Sequence, residues 1–192
     1  PTKNFKLDKY HNFVSDNQHK LVVSKSRDLF AEDFGFNTKS MHLNLSELID
    51  LELTDINPLD GSKVHIIIRI NRPNSKDFNP VHKDIYGYPD QNLDIPPIVN
   101  FWIPICGVNS NSSLGIAPSS HLVNEQLILR TRGASNIDGI NYRVCNISSW
   151  NNNNRLIRAI PPDGSVLIFS SHLIHGLGIN NNDDQTRVAL EF

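Results

Sequence analysis

Short runs of apolar and β-branched residues recur along the chain from residue 61 onward, with turn-forming residues between them. The first run, Val64 to Ile70, has the valine and isoleucine content that is typical of a strand. The pattern predicts further strands at residues 80–86, 98–105, 113–117, 142–147, 155–160, 165–170, 174–179 and 186–192. The longest insertion, residues 118–140, contains one or two predicted helical turns within Val123 to Leu129. Many short strands without intervening helices predict a mainly β fold, an antiparallel sandwich or barrel.

Residues 1–60 have a different pattern, with mixed helix and loop. The apolar spacing from Asn44 to Leu51 predicts a short amphipathic helix, and Asn57 to Gly61 predicts a strong turn. No repeat or linker interrupts the sequence. We therefore expect one domain over residues 1–192, with N-terminal helical elements in 1–60 and a β core in 61–192.

Composition narrows the classes of partner. The chain has 192 residues, of which 39% are hydrophobic, enough for one core, and its net charge of -2 predicts no attraction to nucleic acid or to an anionic membrane. No apolar stretch approaches the roughly 20 residues that span a bilayer. Only Cys106 and Cys145 occur, so we expect a reducing, cytoplasmic setting, with one bridge between them left open. The start at Pro1 and the end inside a predicted strand are consistent with a piece of a longer protein.

Three side chains have the spacing of a metal site. His82 and Asp84 lie two residues apart in a predicted strand, so alternation places them on one face while Lys83 lies on the other. His175, at the edge of a later predicted strand, can complete a set of two histidines and one carboxylate. This set leaves three positions of an octahedral iron open, and it can also hold zinc with one open position, as in hydrolases. A single His-X-Asp is more often only a polar strand face.

Arg187 follows His175 by 12 residues, on the next predicted strand. If the two strands form a hairpin, the guanidinium lies deeper in the same cavity. Its planar fork suits a carboxylate bound by two hydrogen bonds. The alternative for an isolated arginine at a strand edge is a surface ion pair.

Several ordered motifs carry a family resemblance. The segments IVNFWIPI at 98–105 and SLGIAPSSH at 113–121 resemble the W-I-P-L strand and G-x-L-x-x-x-P-G-S-H segment of the phytanoyl-CoA dioxygenase-like family. The segment DGSVLIF at 163–169, with His175, Gly176 and Asn180, resembles the closing G-D-x-x-x-F and H-x-x-x-x-N pattern. The resemblance runs from about residue 64 to 192. Ser119 and Ser165 depart from it, in place of the usual glycine and aspartate.

The resemblance implies a double-stranded β-helix, which is a jelly-roll of the cupin-like type, with Fe(II), 2-oxoglutarate and O2. The implied activity is hydroxylation of a small organic molecule, with release of succinate and CO2. His82, Asp84 and His175 fall on the catalytic metal positions, Arg187 on the position that binds the far carboxylate of 2-oxoglutarate, and Trp102 on one that lines the co-substrate pocket. By alternation Asn100 shares the face of Trp102, where it either donates a hydrogen bond to the co-substrate or serves as a structural polar residue.

The primary substrate is not predicted by the sequence. Candidate contacts near the metal are Lys83, Tyr86 and Tyr88, and Arg69 and Arg72 are candidates for binding an anionic substrate, although such residues are more often solvated charges. His65, His121 and His172 are expected to be structural. Two other classes stay open at this point: a zinc-dependent hydrolase, and a non-catalytic jelly-roll module that binds a ligand.

Overall fold

The computed structural model describes residues 4–35, 37–57, 61–86, 98–137, 140–151, 155–162 and 164–192. Its N-terminal part contains helices α1, Asp16–Lys25, and α2, Thr38–Ile49, with 3-10 turns at Leu7–Asn12 and Ala31–Phe34. Ser15 caps α1 in a reciprocal capping box with Gln18, and Asn37 caps α2. The predicted helix at 44–51 is therefore the second half of a longer helix.

Eleven strands follow in the described part of the chain. They are β1 Ile67–Asn71, β2 Val99–Cys106, β3 Gly115–Ile116, β4 Ile128–Arg130, β5 Ser135–Ile137, β6 Ile140–Tyr142, β7 Ile147–Trp150, β8 Ile157–Arg158, β9 Leu167–Ser170, β10 His175–Gly176 and β11 Arg187–Glu191. Within residues 118–140, 3-10 turns at Ser120–Leu122 and Glu125–Leu127 precede β4. The predicted helical segment there is thus a single turn.

All strand pairs in the described ranges are antiparallel. One sheet has the order β1-β11-β2-β9 and a second has the order β10-β3-β8, while β4 pairs with β7 and β5 with β6. His82 adds to the second sheet through an isolated bridge to His175. The fold is mainly β, as predicted. The sheets are small and, over the residues described, they do not close into a barrel.

Two predicted strands were wrong in this structure. Over 80–86 only His82 makes a bridge, because the backbone amides of Asp84 and Ile85 both donate to the carbonyl of Ser171 and curl the chain around it. Over 142–147, β6 ends at Tyr142 and β7 begins at Ile147, with irregular chain between them.

The predicted hairpin between the strands of His175 and Arg187 was also wrong. β10 belongs to the three-stranded sheet and β11 to the four-stranded one. Between them Leu177 has φ 46°, and the buried amide of Asn180 donates to the carbonyls of Asn71 and Gln185. This turn carries the chain from one sheet to the other, so the two side chains reach the site from different sheets.

Apolar packing ties the site to both sheets. One cluster contains Val81 and Ile174, each of which precedes a histidine of the site, and another contains Trp102 and Phe169. At the N-terminus, the 3-10 turn Leu7–Asn12 contacts β11 and α1 contacts β1. Both cysteines are free. Among the described residues, no helix has the length and apolar composition that a membrane crossing requires.

Candidate metal centre

His82, Asp84 and His175 lie close together in the structure. One ligand atom from each lies within 4.8 Å of the other two. The Nε2 atom of His82 is 3.6 Å from Oδ1 of Asp84, and that of His175 is 3.5 Å from Oδ2 of Asp84. Both histidines are buried, whereas the Asp84 side chain is 41% exposed. Two nitrogens and one carboxylate on one side of a site form the facial set that divalent iron and related metals accept.

The hydrogen bonds of the two imidazoles decide which nitrogen faces the site. Nδ1 of His82 lies 2.7 Å from the carbonyl oxygen of Pro80, and Nδ1 of His175 lies 2.9 Å from that of Leu173. Because a carbonyl only accepts, Nδ1 carries the proton in each ring, and Nε2 has the free lone pair. Such bonds fix the ring orientation of metal-binding histidines.

Electrostatics favour the uncharged form of His82. Burial and the neighbouring His175 lower its pKa from the ordinary 6.5, although Asp84 acts in the opposite direction. A neutral imidazole is the form that binds a metal. The donor set, the tautomers and the protonation state of His82 therefore fit a divalent metal ion.

Asp84 is oriented by two neighbours. The amide of Asn100 donates to Oδ2 of Asp84, and the buried hydroxyl of Ser171 donates to Oδ1 of Asn100 at 2.7 Å. The carbonyl of Ser171 also accepts from the amide of Asp84 at 3.1 Å. Asn100 thus contacts a carboxylate of the candidate metal site. Residues in such supporting positions orient the ligands and tune the affinity for the metal.

A cavity of about 410 Å³ adjoins the two histidines, and Trp102 and Arg187 also line it. Arg187 is 4% exposed, and its nitrogens donate to two neutral acceptors, Oδ1 of Asn71 and the carbonyl of Ser112. Its Nε has no hydrogen-bond partner among the described residues. Burial lowers the pKa of Arg187 to about 10, although Glu191 acts in the opposite direction, so the side chain stays charged at pH 7. A buried cation without an anionic partner is costly, and a bound carboxylate would offset that cost.

Gly178 and Trp102 restrict the space around the Arg187 guanidinium. A Cβ atom at Gly178 would lie 2.7 Å from Nη1 of Arg187, closer than such atoms approach each other. On another side, the Arg187 guanidinium carbon is 5.8 Å from the ring centre of the fully buried Trp102. Glycine on one side and tryptophan on another therefore set the position of the guanidinium within the cavity.

Comparison with known families agrees with this geometry. The profile of the phytanoyl-CoA dioxygenase (PhyH) family matches residues 4–189, nearly the whole chain. The chain belongs to this family. A search of curated proteins finds no match, so no named relative suggests a substrate. Membership in the phytanoyl-CoA dioxygenase family indicates oxygenase activity in general terms, and the convergence of His82, Asp84 and His175 is consistent with it.

The predicted substrate contacts have different placements in this member of the phytanoyl-CoA dioxygenase family. Arg69 lines the cavity and is paired with Glu191. Lys83 is 2% exposed and paired with Glu125, away from the cavity. The hydroxyl of Tyr86 accepts from the amide of Lys83 and donates to the carbonyl of Cys145, and the tyrosine does not line the cavity either.

Two further candidates are placed by the structure. Arg72 does not line the cavity; it pairs with Asp16 and with Asp77. Tyr88 lies outside the described residues. Of the four suggested substrate residues that the structure describes, Arg69 alone lines the cavity.

The sequence patterns did not predict one wall of the cavity. α1 contributes His19 and Val23, the segment after it contributes Arg27, and residues 141–143 contribute a second side. No motif marks these residues, because they reach the cavity through tertiary packing, such as that of α1 on β1. The partners of Arg187, Asn71 and Ser112, were missed for the same reason. The charge of Arg27 was the one available signal.

Proposed function

We propose that this chain is an Fe(II)- and 2-oxoglutarate-dependent dioxygenase that hydroxylates a small organic molecule and releases succinate and CO2. The observation that carries the proposal is a shared cavity of about 410 Å³. Two metal-site histidines line it together with the buried, charged Arg187, which has no anionic partner among the described residues. A ligand that binds a metal at one end and presents a carboxylate at the other satisfies both. 2-Oxoglutarate has that shape.

The sheet orders support the double-stranded β-helix that the family implies. Counting His82 as a strand-like segment, the first sheet takes β1, β11, β2 and β9, and the second takes His82, β10, β3 and β8. Along the chain these segments alternate between the two sheets, except that β3 and β8 follow one another within the second sheet. Such alternation is the winding of a jelly-roll.

Each residue has a defined task in the proposal. His82, Asp84 and His175 hold the ion by one face and leave the cavity side open. Arg187 binds the far carboxylate of 2-oxoglutarate, and Trp102 closes the wall beside it and excludes water. When bound, iron supplies the activation of O2 coupled to oxidative decarboxylation of 2-oxoglutarate. Asp84 provides the carboxylate ligand that halogenating relatives lack, so hydroxylation is the proposed outcome.

Release of succinate tests the proposal. Purified protein with Fe(II), ascorbate, 2-oxoglutarate and O2 should form succinate, and the rate should rise with an accepted substrate. Zn(II) in place of Fe(II) should give none. Arg187→Ala should mainly raise the KM for 2-oxoglutarate, and Arg132→Ala, an exposed arginine away from the cavity, is the matched control. Turnover with Zn(II), or a KM unchanged by Arg187→Ala, would contradict the assignment.

A further inference from the structure

Lysine and arginine side chains outnumber acidic ones in the cavity wall, although the chain as a whole is slightly acidic. Among the described residues, two acidic side chains line the cavity, Asp77 and Glu191, and both already have cationic partners. Asp77 binds Arg72, and Glu191 binds Arg69. Six basic side chains line the same cavity: Lys20, Arg27, Arg69, Lys76, Arg143 and Arg187.

Arg27 and Arg143 differ from the other arginines of this wall. They come from separate segments, after α1 and after β6, and both are exposed at the outer end of the cavity. Neither forms an ion pair with an acidic side chain in the described part of the chain, although the negative charge of Asp28 favours the charged form of Arg27. Arg27, Arg69 and Arg143 line the same cavity. Partial burial and the positive charges of Arg69 and Arg143 lower the pKa of Arg27.

Like charges that line one cavity repel each other, and of these three arginines only Arg69 has an acidic partner among the described residues, Glu191. An anion placed between the guanidinium groups would reverse the sign of the interaction and accept charge-assisted hydrogen bonds from them. The buried Arg187 does not provide this site, because it lies beside Trp102 at the inner part of the cavity. The outer arginines are therefore available for a second anionic group.

Part of the cavity wall is apolar. Val23, Phe78 and Leu114 line it, and the ring of Phe78 stacks on that of Tyr142 with the ring centres 6.2 Å apart. Burial of a hydrocarbon segment against these side chains is favourable. A ligand with an apolar body and an anionic end matches both features of the wall.

We infer that Arg27 and Arg143 bind the carboxylate or phosphate of the primary substrate, so that the enzyme selects small organic anions with an apolar body. This inference rests on the proposed function for the identity of the ligand as substrate. The anion site itself rests only on the placement of the charges. Because the arginines are exposed, the affinity should fall as the salt concentration rises.

Calorimetric titration with three probes tests the inference: hexanoate, hexyl phosphate and the uncharged hexanamide. The protein is kept anaerobic, with Fe(II) and saturating 2-oxoglutarate, so that Arg187 is occupied. At least one anion should bind about tenfold more tightly than hexanamide, and the stronger one identifies the anionic group. Arg27→Gln and Arg143→Gln should each weaken that anion by about three- to tenfold, while Arg132→Gln leaves it unchanged.

These outcomes distinguish a failure of the proposed anion site from a failure of the proposed function. Equal binding of the anions and hexanamide, or full anion affinity in both Arg27→Gln and Arg143→Gln, would overturn the inference while succinate formation stays as it is. Loss of anion binding only in Arg187→Ala would place the anion in the co-substrate site and would overturn it as well. Anion binding that depends on Arg27 and Arg143 in a protein without 2-oxoglutarate turnover would keep the anion site and reject the proposed function.

Discussion

The backbones of His82 and His175 hold each other through two reciprocal hydrogen bonds. The amide of His82 donates to the carbonyl of His175 at 2.8 Å, and the amide of His175 donates to the carbonyl of His82 at 2.9 Å. The preceding residues, Val81 and Ile174, pack in one apolar cluster. The separation of the two imidazoles is therefore set by the backbone and the core, so the site is preorganised for a metal ion.

Asn100→Ala should weaken metal binding more than it weakens the fold. The variant removes the amide that orients Asp84, and loss of such a supporting group typically costs about 10- to 100-fold in metal affinity or activity. Titration with Fe(II) under anaerobic conditions measures the affinity. Asn136→Ala, an exposed amide on β5, is the matched control. An affinity equal to that of the wild type would show that Asp84 needs no support from Asn100.

Gly178→Ala should weaken binding of 2-oxoglutarate without changing the affinity for Fe(II). Its methyl group would lie 2.7 Å from Nη1 of Arg187, so the guanidinium must move away from its position. We expect the KM for 2-oxoglutarate to rise about tenfold or more, because misplacement by an ångström can cost this much. Fe(II) affinity should stay unchanged. A normal KM together with weakened Fe(II) binding would contradict the placement of Arg187.

The buried pair of Lys83 and Glu125 should behave as a unit. Lys83→Met leaves Glu125 as an uncompensated charge, and we expect the free energy of unfolding to fall by about 3–5 kcal/mol. The double variant Lys83→Met with Glu125→Leu should recover most of this loss, since an apolar pair of similar volume can replace a buried ion pair. Urea denaturation measures both. Additive losses in the double variant would mean that the two side chains do not interact.

Asp77 should make the stability of the protein sensitive to acid. Burial alone would raise the pKa of Asp77, but hydrogen bonds from His19 and Arg72 hold it below its usual 3.8. The stabilisation is therefore complete above pH 3.8 and is lost progressively as the pH falls below that value. Asp77→Asn should cost about 1–3 kcal/mol at pH 7 and should flatten the acid limb of the stability curve.

Thermal or urea unfolding between pH 2.5 and pH 7 tests the role of Asp77. Asp183→Asn is the control, because it removes an aspartate that is exposed rather than buried. It should leave both the free energy of unfolding and its pH dependence unchanged. If Asp77→Asn keeps the steep acid limb of the wild type, another carboxylate is responsible for it.

Much of the site could be predicted because its chemistry leaves a local pattern. The spacing of His82 and Asp84, and the distance from His175 to Arg187, are visible in the sequence, although the reason given for the second was wrong, since the two strands lie in different sheets. The burial of Lys83 was not predictable, because its partner Glu125 lies in the long insertion. Alternation of side chains between two faces holds only in regular strands. At Asp84 the chain leaves the strand conformation, because two successive amides donate to the carbonyl of Ser171.

Iron binding by the wild type and by His175→Ala tests the central claim most directly. His175→Ala removes one of the three ligand atoms, and His172→Ala, which removes a neighbouring histidine outside the ligand group, is the control. Anaerobic Fe(II) titration, followed by addition of 2-oxoglutarate and visible absorption spectroscopy, should show one iron per chain and a charge-transfer band in the wild type and in His172→Ala. Both should be lost in His175→Ala. Retention of iron and of the band in His175→Ala would contradict the metal centre described above.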